Sequence, residues 1–312
     1  MLRLGLCCTF RDEPIRFRRT TAAALGRLEP QAAREKLAGL IAINAAALGQ
    51  SIEYCAGRGI GAFRINSQIL PLKTHPALGY SLEELPDGAA LREAFRRCGE
   101  KAKNLGVRLS FHPDQFVVLG SPDERLVASS IAELDYQAEV AEWSGADVIN
   151  IHAGGAYGDK PGALERLRRT IDRLPERVRR RLTLENDDRC FTPRELWPVC
   201  RDSGTPLCYD AHHHRCLPDG WNEGEATEKA RETWDREPLF HISSPLNGWG
   251  GPQARAHHDQ IDFADFPKQW LGLDLTVEVE AKAKEAAVVR LRRQLIRRQV
   301  EVWPGRRPGM SV

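Results

Sequence analysis

The chain has 312 residues, 42% hydrophobic and 28% charged, and its 45 Lys+Arg against 43 Asp+Glu leave a net charge of +2. That composition excludes a disordered or fibrous protein, and the near balance of charge excludes a simple basic nucleic-acid coat while allowing a local basic face. No run of about 18 apolar residues exists, and Met1–Gly5 lacks the apolar stretch of a signal peptide, so a cytoplasmic protein with no membrane contact is expected.

Short apolar runs alternate with longer amphipathic stretches. The first run is Leu4–Cys8. An Arg-rich loop follows, then an Ala-rich helical pattern from about Gln31 to Cys55, ended by Gly57, Gly59 and Gly61. Next come run Ala62–Ile65, helix Leu91–Leu105, run Arg108–Phe111, helix Asp123–Ser144 and run Val148–Ile151. Helix Gly162–Leu174 leads to run Leu182–Leu184. Helix Thr192–Arg201 opens with Thr-Pro, a helix-start signal, and leads to run Pro206–Tyr209. Helix Glu223–Trp234, run Leu239–Ile242, a short segment near Phe263–Trp270, run Leu275–Val279 and a helix from about Ala281 to Val300 complete the series. Eight strand-then-helix units with continuous apolar strands predict an α/β fold, a parallel (β/α)8 TIM barrel. Residues 1–301 form that single domain, and the Arg/Pro/Gly-rich residues 302–312 are expected to fray. The 8 cysteines include no Cys-x-x-Cys pair and are read as reduced thiols.

A barrel of this kind carries its active site at the C-terminal ends of the strands. His112 ends the third strand, His152 the fourth, Glu185 the fifth and Asp210 the sixth, with His213 just beyond. His241 lies on the seventh, Glu280 ends the eighth, and His257 precedes the eighth. Imidazoles and carboxylates are ligands of zinc and manganese, and only a cation makes several converging carboxylates cheap. Glu185, Asp210, Glu280 and His241 suit one metal. His112 and His152 add a second, with Glu185 as bridge, and His213 and His257 allow a third. Ions about 3.5–4 Å apart are the usual device for phosphodiester hydrolysis.

The segments FRINSQILPLKTHP, FHPDQF, HAGGAYGDK, LENDD, DAHHH and VEAKAKE together resemble the UV damage endonuclease family over nearly the whole barrel, and the ligand pattern is similar to that of endonuclease IV, a three-metal barrel enzyme. The resemblance implies a metal-dependent DNA repair enzyme. It would nick the phosphodiester bond 5′ to UV photoproducts and some other lesions, leaving a 3′-hydroxyl and a 5′-phosphate. It implies two or three divalent ions, Mn²⁺ first, with Zn²⁺, Mg²⁺ or Co²⁺ as alternatives. Damaged double-stranded DNA would be the partner of a monomeric enzyme. Carried over by motif, His112, His152, Glu185, Asp210, His213, His241, His257 and Glu280 are the ligands, and Glu185, Glu280, Asp210, His112, His152 and His241 the catalytic set. His75 matches an active-site histidine of the family. Gln115 and Phe116 match a Gln-Tyr pair that probes the duplex, so stacking is kept and the tyrosine hydroxyl lost. Leu239 stands where some members carry a lysine that can be carboxylated and bridge metals.

Arg166–Arg181 and the arginines from Arg290 to Arg307 are read as solvated helix faces; Arg64, Lys73, Lys160 and Lys282, in or beside the motif loops, are the expected phosphate contacts. Seven arginines against one glutamate in residues 290–312 leave the rest of the chain at −4, so bound metal is expected to supply the attraction for DNA. Two rivals stand beside this reading. One is a single-metal sugar isomerase or epimerase, whose Glu, Asp, His and Glu are matched by Glu185, Asp210, His241 and Glu280. The other is a non-catalytic damage-binding protein.

Overall fold

A computed structural model describes residues 1–305. Its strands are β1 (Leu2–Cys7), β2 (Ala62–Ile65), β3 (Arg108–Phe111), β4 (Val148–His152), β5 (Leu182–Glu185), β6 (Leu207–Cys208), β7 (Leu239–Ile242) and β8 (Leu275–Val279). They form one sheet in the order β6-β5-β4-β3-β2-β1-β8-β7, and every ladder is parallel. The circle closes between β6 and β7 through a single bridge from Asp210 to His241, where the His241 amide donates to the Tyr209 carbonyl at 3.0 Å. The expected (β/α)8 barrel is therefore present, nearly closed, and two predicted ligands make its closing stitch.

The main helices are α1 (Pro30–Arg58), α2 (Gly88–Leu105), α3 (Glu124–Ser144), α4 (Lys160–Asp172), α5 (Pro193–Ser203), α6 (Ala211–Cys216), α7 (Glu223–Arg231) and α8 (Glu285–Arg297). Thr192 caps α5 in a capping box with Glu195, with Pro193 in the first turn. The helix expected from Glu223 to Trp234 stops at Arg231, and the one expected from Ala281 starts at Glu285 because residues 281–284 turn back over the barrel rim. Helix α6 was not expected: AHHHRC has too little apolar periodicity to announce a helix, and the Asp210 cap creates it.

The fraying expected from residue 302 does not hold for the described part of that segment. Leu2 bridges to Val302, the Trp303 amide donates to the Leu2 carbonyl at 2.7 Å, and Trp303 is buried with the Arg3 guanidinium 5.6 Å from its ring. An aromatic plug under the barrel outweighs the flanking Pro and Gly. Residues 306–312 lie outside the described residues. No helix among the described residues is long and apolar enough to cross a membrane, and all eight cysteines are free.

Candidate metal centre

Alternate residues along each strand point into the barrel, so the last inward residues meet at the mouth. The hub is Glu185, at the end of β5 and 1% exposed. Its Oε2 lies 2.9 Å from His112 Nε2. Its Oε1 lies 3.2 Å from His213 Nδ1 and 3.1 Å from His241 Nδ1. Donor atoms within 4.8 Å of one another group His112 with His152 and Glu185, Glu185 with Asp210 and His213, Asp210 with His241 and Glu280, and Glu185 with Cys208 and His241. Glu185 belongs to three of these four groups.

Unpartnered atoms test whether this set fits a cation. Glu185 Oε1, Asp210 Oδ2, His152 Nδ1 and His241 Nδ1 are buried and make no hydrogen bond. Buried polar atoms without partners are rare and call for a cause. Several of the opposite atoms are already fixed. His112 Nδ1 donates to the Pro113 carbonyl at 2.9 Å, which leaves Nε2 as the donor atom facing Glu185. Asp210 Oδ1 accepts the His213 amide at 2.7 Å as the cap of α6, leaving Oδ2 free. A helix cap thus places His213 and aims a carboxylate oxygen. These donors fit a bound metal cation.

Burial alone would raise the Glu185 carboxyl, yet His241, His152, His112 and His213 around it hold it well below the usual range. Burial would lower His213, but Asp210 and Glu185 push it up to about 10. His152 is lowered, mainly by burial.

Arg64 does not meet the expectation of a phosphate contact. It is 7% exposed and bound to Glu278 (Nε to Oε2, 2.5 Å) and Glu280 (2.7 Å). Glu278 was missed from the sequence. It is 1% exposed, accepts from Ser110 and Arg64, and lies 3.2 Å from His241 Nε2. Together with Arg64, whose Nη2 lies 3.0 Å from the same His241 nitrogen, it fixes the His241 ring with Nδ1 toward Glu185. The alternation in VEVE was the available signal, since residues 278 and 280 share a strand face. Asn150 and Asn186 were missed too. The Asn150 amide donates to Glu185 Oε2 at 2.5 Å, and Asn186 holds both backbone groups of Asp210 at 2.9 Å.

His257 is half-buried and 3.7 Å from Glu280, outside the four donor groups. None of the three consecutive histidines faces solvent. His214 is taken by Tyr209 and Asp219, His213 meets Glu185, and His212 is fully buried against Trp249 and His257 with no hydrogen bond at either nitrogen. His258 is exposed and closes a turn with Gln260. Leu239 is fully buried and packs with Val148 and Cys208.

Around the mouth, a cavity of about 880 Å³ is lined by Gln115, His152, His213, His257 and Glu280, among others. Phe116 is 86% exposed and stands over an adjoining cavity of about 370 Å³ that also holds Lys73 and His75. Lys73 is committed to the Tyr80 carbonyl (2.8 Å) and Glu139 (3.4 Å), so it is not a free phosphate contact. Lys160 pairs with Glu195 at 2.6 Å while staying partly exposed. Lys282 is exposed. The Arg166–Arg181 segment is largely neutralised by Glu165, Asp172, Asp135, Glu176 and Glu142.

The sequence model of the family described as UV-endonuclease UvdE matches residues 2–304. A UV DNA damage endonuclease of Deinococcus radiodurans is 35% identical over 299 residues, 93% of this chain and 94% of that protein. One from Bacillus velezensis is 34% identical over 260 residues, 79% and 78% respectively. The crystal structure of SacUVDE superposes with a TM-score of 0.86 at 25% identity, covering 96% of this chain and 100% of that one. Endonuclease IV from Thermus thermophilus has a TM-score of 0.57 at 20% identity over 80% of this chain and 94% of its own, a likeness of fold alone.

Proposed function

The chain belongs to the UV-endonuclease UvdE family, and on that premise we propose that it nicks duplex DNA at the phosphodiester bond 5′ to UV photoproducts and some other lesions, leaving a 3′-hydroxyl and a 5′-phosphate. The observation that carries the reading is the sharing of Glu185 among three converging donor groups whose buried atoms lack other partners. Two or three divalent ions, Mn²⁺ foremost, would be held by His112, His152, Glu185, Asp210, His213, His241 and Glu280, with His257 at the edge. Such ions supply Lewis acidity toward the phosphate and make water more acidic.

The chain's own groups position the substrate. Gln115 lines the mouth and Phe116 offers a bare ring beside it, an arrangement suited to replacing an unstacked base at a cost of a few kcal/mol per step. His75 borders the cavity under that ring. Glu278 and Arg64 keep His241 and Glu280 in place from below. A sugar isomerase would need Glu185, Asp210, His241 and Glu280 alone, and has no use for His112, His152 and His213 converging on the same hub. The enzyme would act as a cytoplasmic monomer. The test is incubation of metal-loaded protein with UV-irradiated and unirradiated supercoiled plasmid. Relaxation confined to the irradiated plasmid is expected; a metal-loaded protein that leaves both intact would overturn the reading.

A further inference from the structure

Beside the metal centre a second groove, of about 510 Å³, opens between the loop after β1 and the loop after β8. Arg64, His257 and Glu280 form its floor, Cys8 stands on one wall, and Lys282 and Lys284 stand on the other. The two walls are tied together. The buried Glu285 carboxylate accepts the amides of Arg11 (2.9 Å), Asp12 (2.7 Å) and Glu13 (3.1 Å) from the first loop. The Lys282 amide donates to the His258 carbonyl at 3.1 Å, and that of Ala283 to Asp259 at 3.0 Å. The groove is therefore built into the fold.

Its charge is unspent. Lys282 and Lys284 make no side-chain hydrogen bond or ion pair with the described residues, whereas Arg64 is locked to two carboxylates and Arg255, on the same rim, lies 3.5 Å from Asp188. The Glu280 carboxylate on the floor is already met by Arg64 at 2.7 Å. Two residues lining the groove, Cys8 (φ 62) and Lys284 (φ 51, ψ −125), hold backbone angles that non-glycine residues rarely adopt. Strain of this kind persists where surrounding structure imposes it, and it concentrates at ligand clamps.

We infer that this groove is a phosphate-binding subsite, in which Lys282 and Lys284 hold a backbone phosphodiester of the bound strand adjacent to the bond that is cut. The inference rests on the endonuclease reading. A phosphate contact positions the strand and carries no base information. The lysines therefore act on affinity for damaged and undamaged duplex alike, and leave the chemical step untouched.

Nicking kinetics of the metal-loaded protein on a lesion-bearing duplex, followed over a series of NaCl concentrations, test it. In Lys282→Ala and in Lys284→Gly, the slope of log(kcat/KM) against log[NaCl] should become shallower by about 0.9 each. KM should rise roughly tenfold or more, as for loss of one charge-assisted hydrogen bond, with kcat unchanged. Lys284→Arg should keep the wild-type slope. Lys284→Gly should melt no lower than wild type, because glycine accepts a positive φ without strain. Wild-type slope and KM in both charge-removing variants, or a Lys284→Arg protein that behaves like Lys284→Gly, would overturn the subsite. A wild-type protein that fails to nick would instead overturn the endonuclease reading.

Discussion

Replacing Arg64 by methionine separates an internal strut from a DNA contact. The guanidinium is buried and binds two carboxylates, Glu278 and Glu280. Methionine keeps much of the volume and removes the charge, leaving both carboxylates without their cation. Breaking a buried pair in this way costs about 3–5 kcal/mol. With an unfolding entropy of roughly 2.1 cal/mol/K per residue, a chain of this length unfolds with about 0.65 kcal/mol/K, so the metal-free variant should melt roughly 5–8 °C below wild type. The acid limb should change as well. Burial would raise Glu278, yet Arg64, with His241 and Ser110, holds it down at about 2. In wild type that depressed carboxyl contributes stability at pH values above its unfolded pKa of about 4.3, and the contribution is lost as pH falls toward 2. In the variant this part of the acid limb should flatten. Scanning calorimetry of metal-free protein from pH 7.5 downward reads both effects, and the salt slope of DNA binding should stay at the wild-type value. An unchanged melting temperature with a slope shallower by about 0.9 would refute the reasoning and restore Arg64 as a phosphate contact.

Other expectations follow from the same structure. Phe116→Ala should change stability by no more than about 0.5 kcal/mol, because the ring is 86% exposed; preference for damaged over undamaged duplex should fall roughly tenfold or more in paired nicking assays, as base–aromatic stacking would require. His213, raised to about 10 by Asp210 and Glu185 against its burial, is protonated in metal-free protein at pH 7.5, so divalent-metal binding should release its proton and tighten with rising pH; calorimetric titrations in two buffers of different ionisation enthalpy measure that release. The same raised value means that metal-free protein keeps this stabilisation below pH of about 6.5 and loses it as pH climbs through 10, readable in thermal melts. DNA affinity should drop on chelation at matched ionic strength, because residues 1–289 carry −4 without the ions; equal affinity with and without metal, measured by fluorescence anisotropy, would count against an electrostatic role for the centre.

How far the sequence disclosed this molecule depends on the kind of signal each part leaves. Strands buried on both faces write continuous apolar runs, so β2, β3, β4, β5 and β8 could be placed almost to the residue, and with them His112, His152, Glu185 and Glu280 at the mouth. Helix α6 stayed hidden because its cause is one capping oxygen on Asp210, which no periodicity displays. Burial of all three consecutive histidines depends on that helix, as a loop could not have turned each of them inward. Arg64 and Glu278 were misjudged or missed for a shared reason. Charge suggests solvent, while strand alternation places both inside, and the ion pair that makes burial tolerable joins residues 214 apart in the chain. Trp303 shows the converse: its sequence neighbourhood looks like a frayed end, yet tertiary contact with Leu2 and Arg3 holds it under the barrel.

The central claim is that Glu185 is the shared ligand on which DNA cleavage depends. Glu185→Gln preserves the side-chain shape and removes the charge that three donor groups share. The direct measurement is metal content and nick position on a duplex carrying one cyclobutane dimer, for wild type and Glu185→Gln side by side. Wild type should retain two or more divalent ions per chain and cut once, immediately 5′ to the dimer, leaving a 3′-hydroxyl. Glu185→Gln should remain folded, lose at least one ion and cut at least about a thousandfold more slowly, a loss of roughly 4 kcal/mol of transition-state stabilisation. A Glu185→Gln protein that keeps its ions and cuts at the wild-type rate would contradict the account.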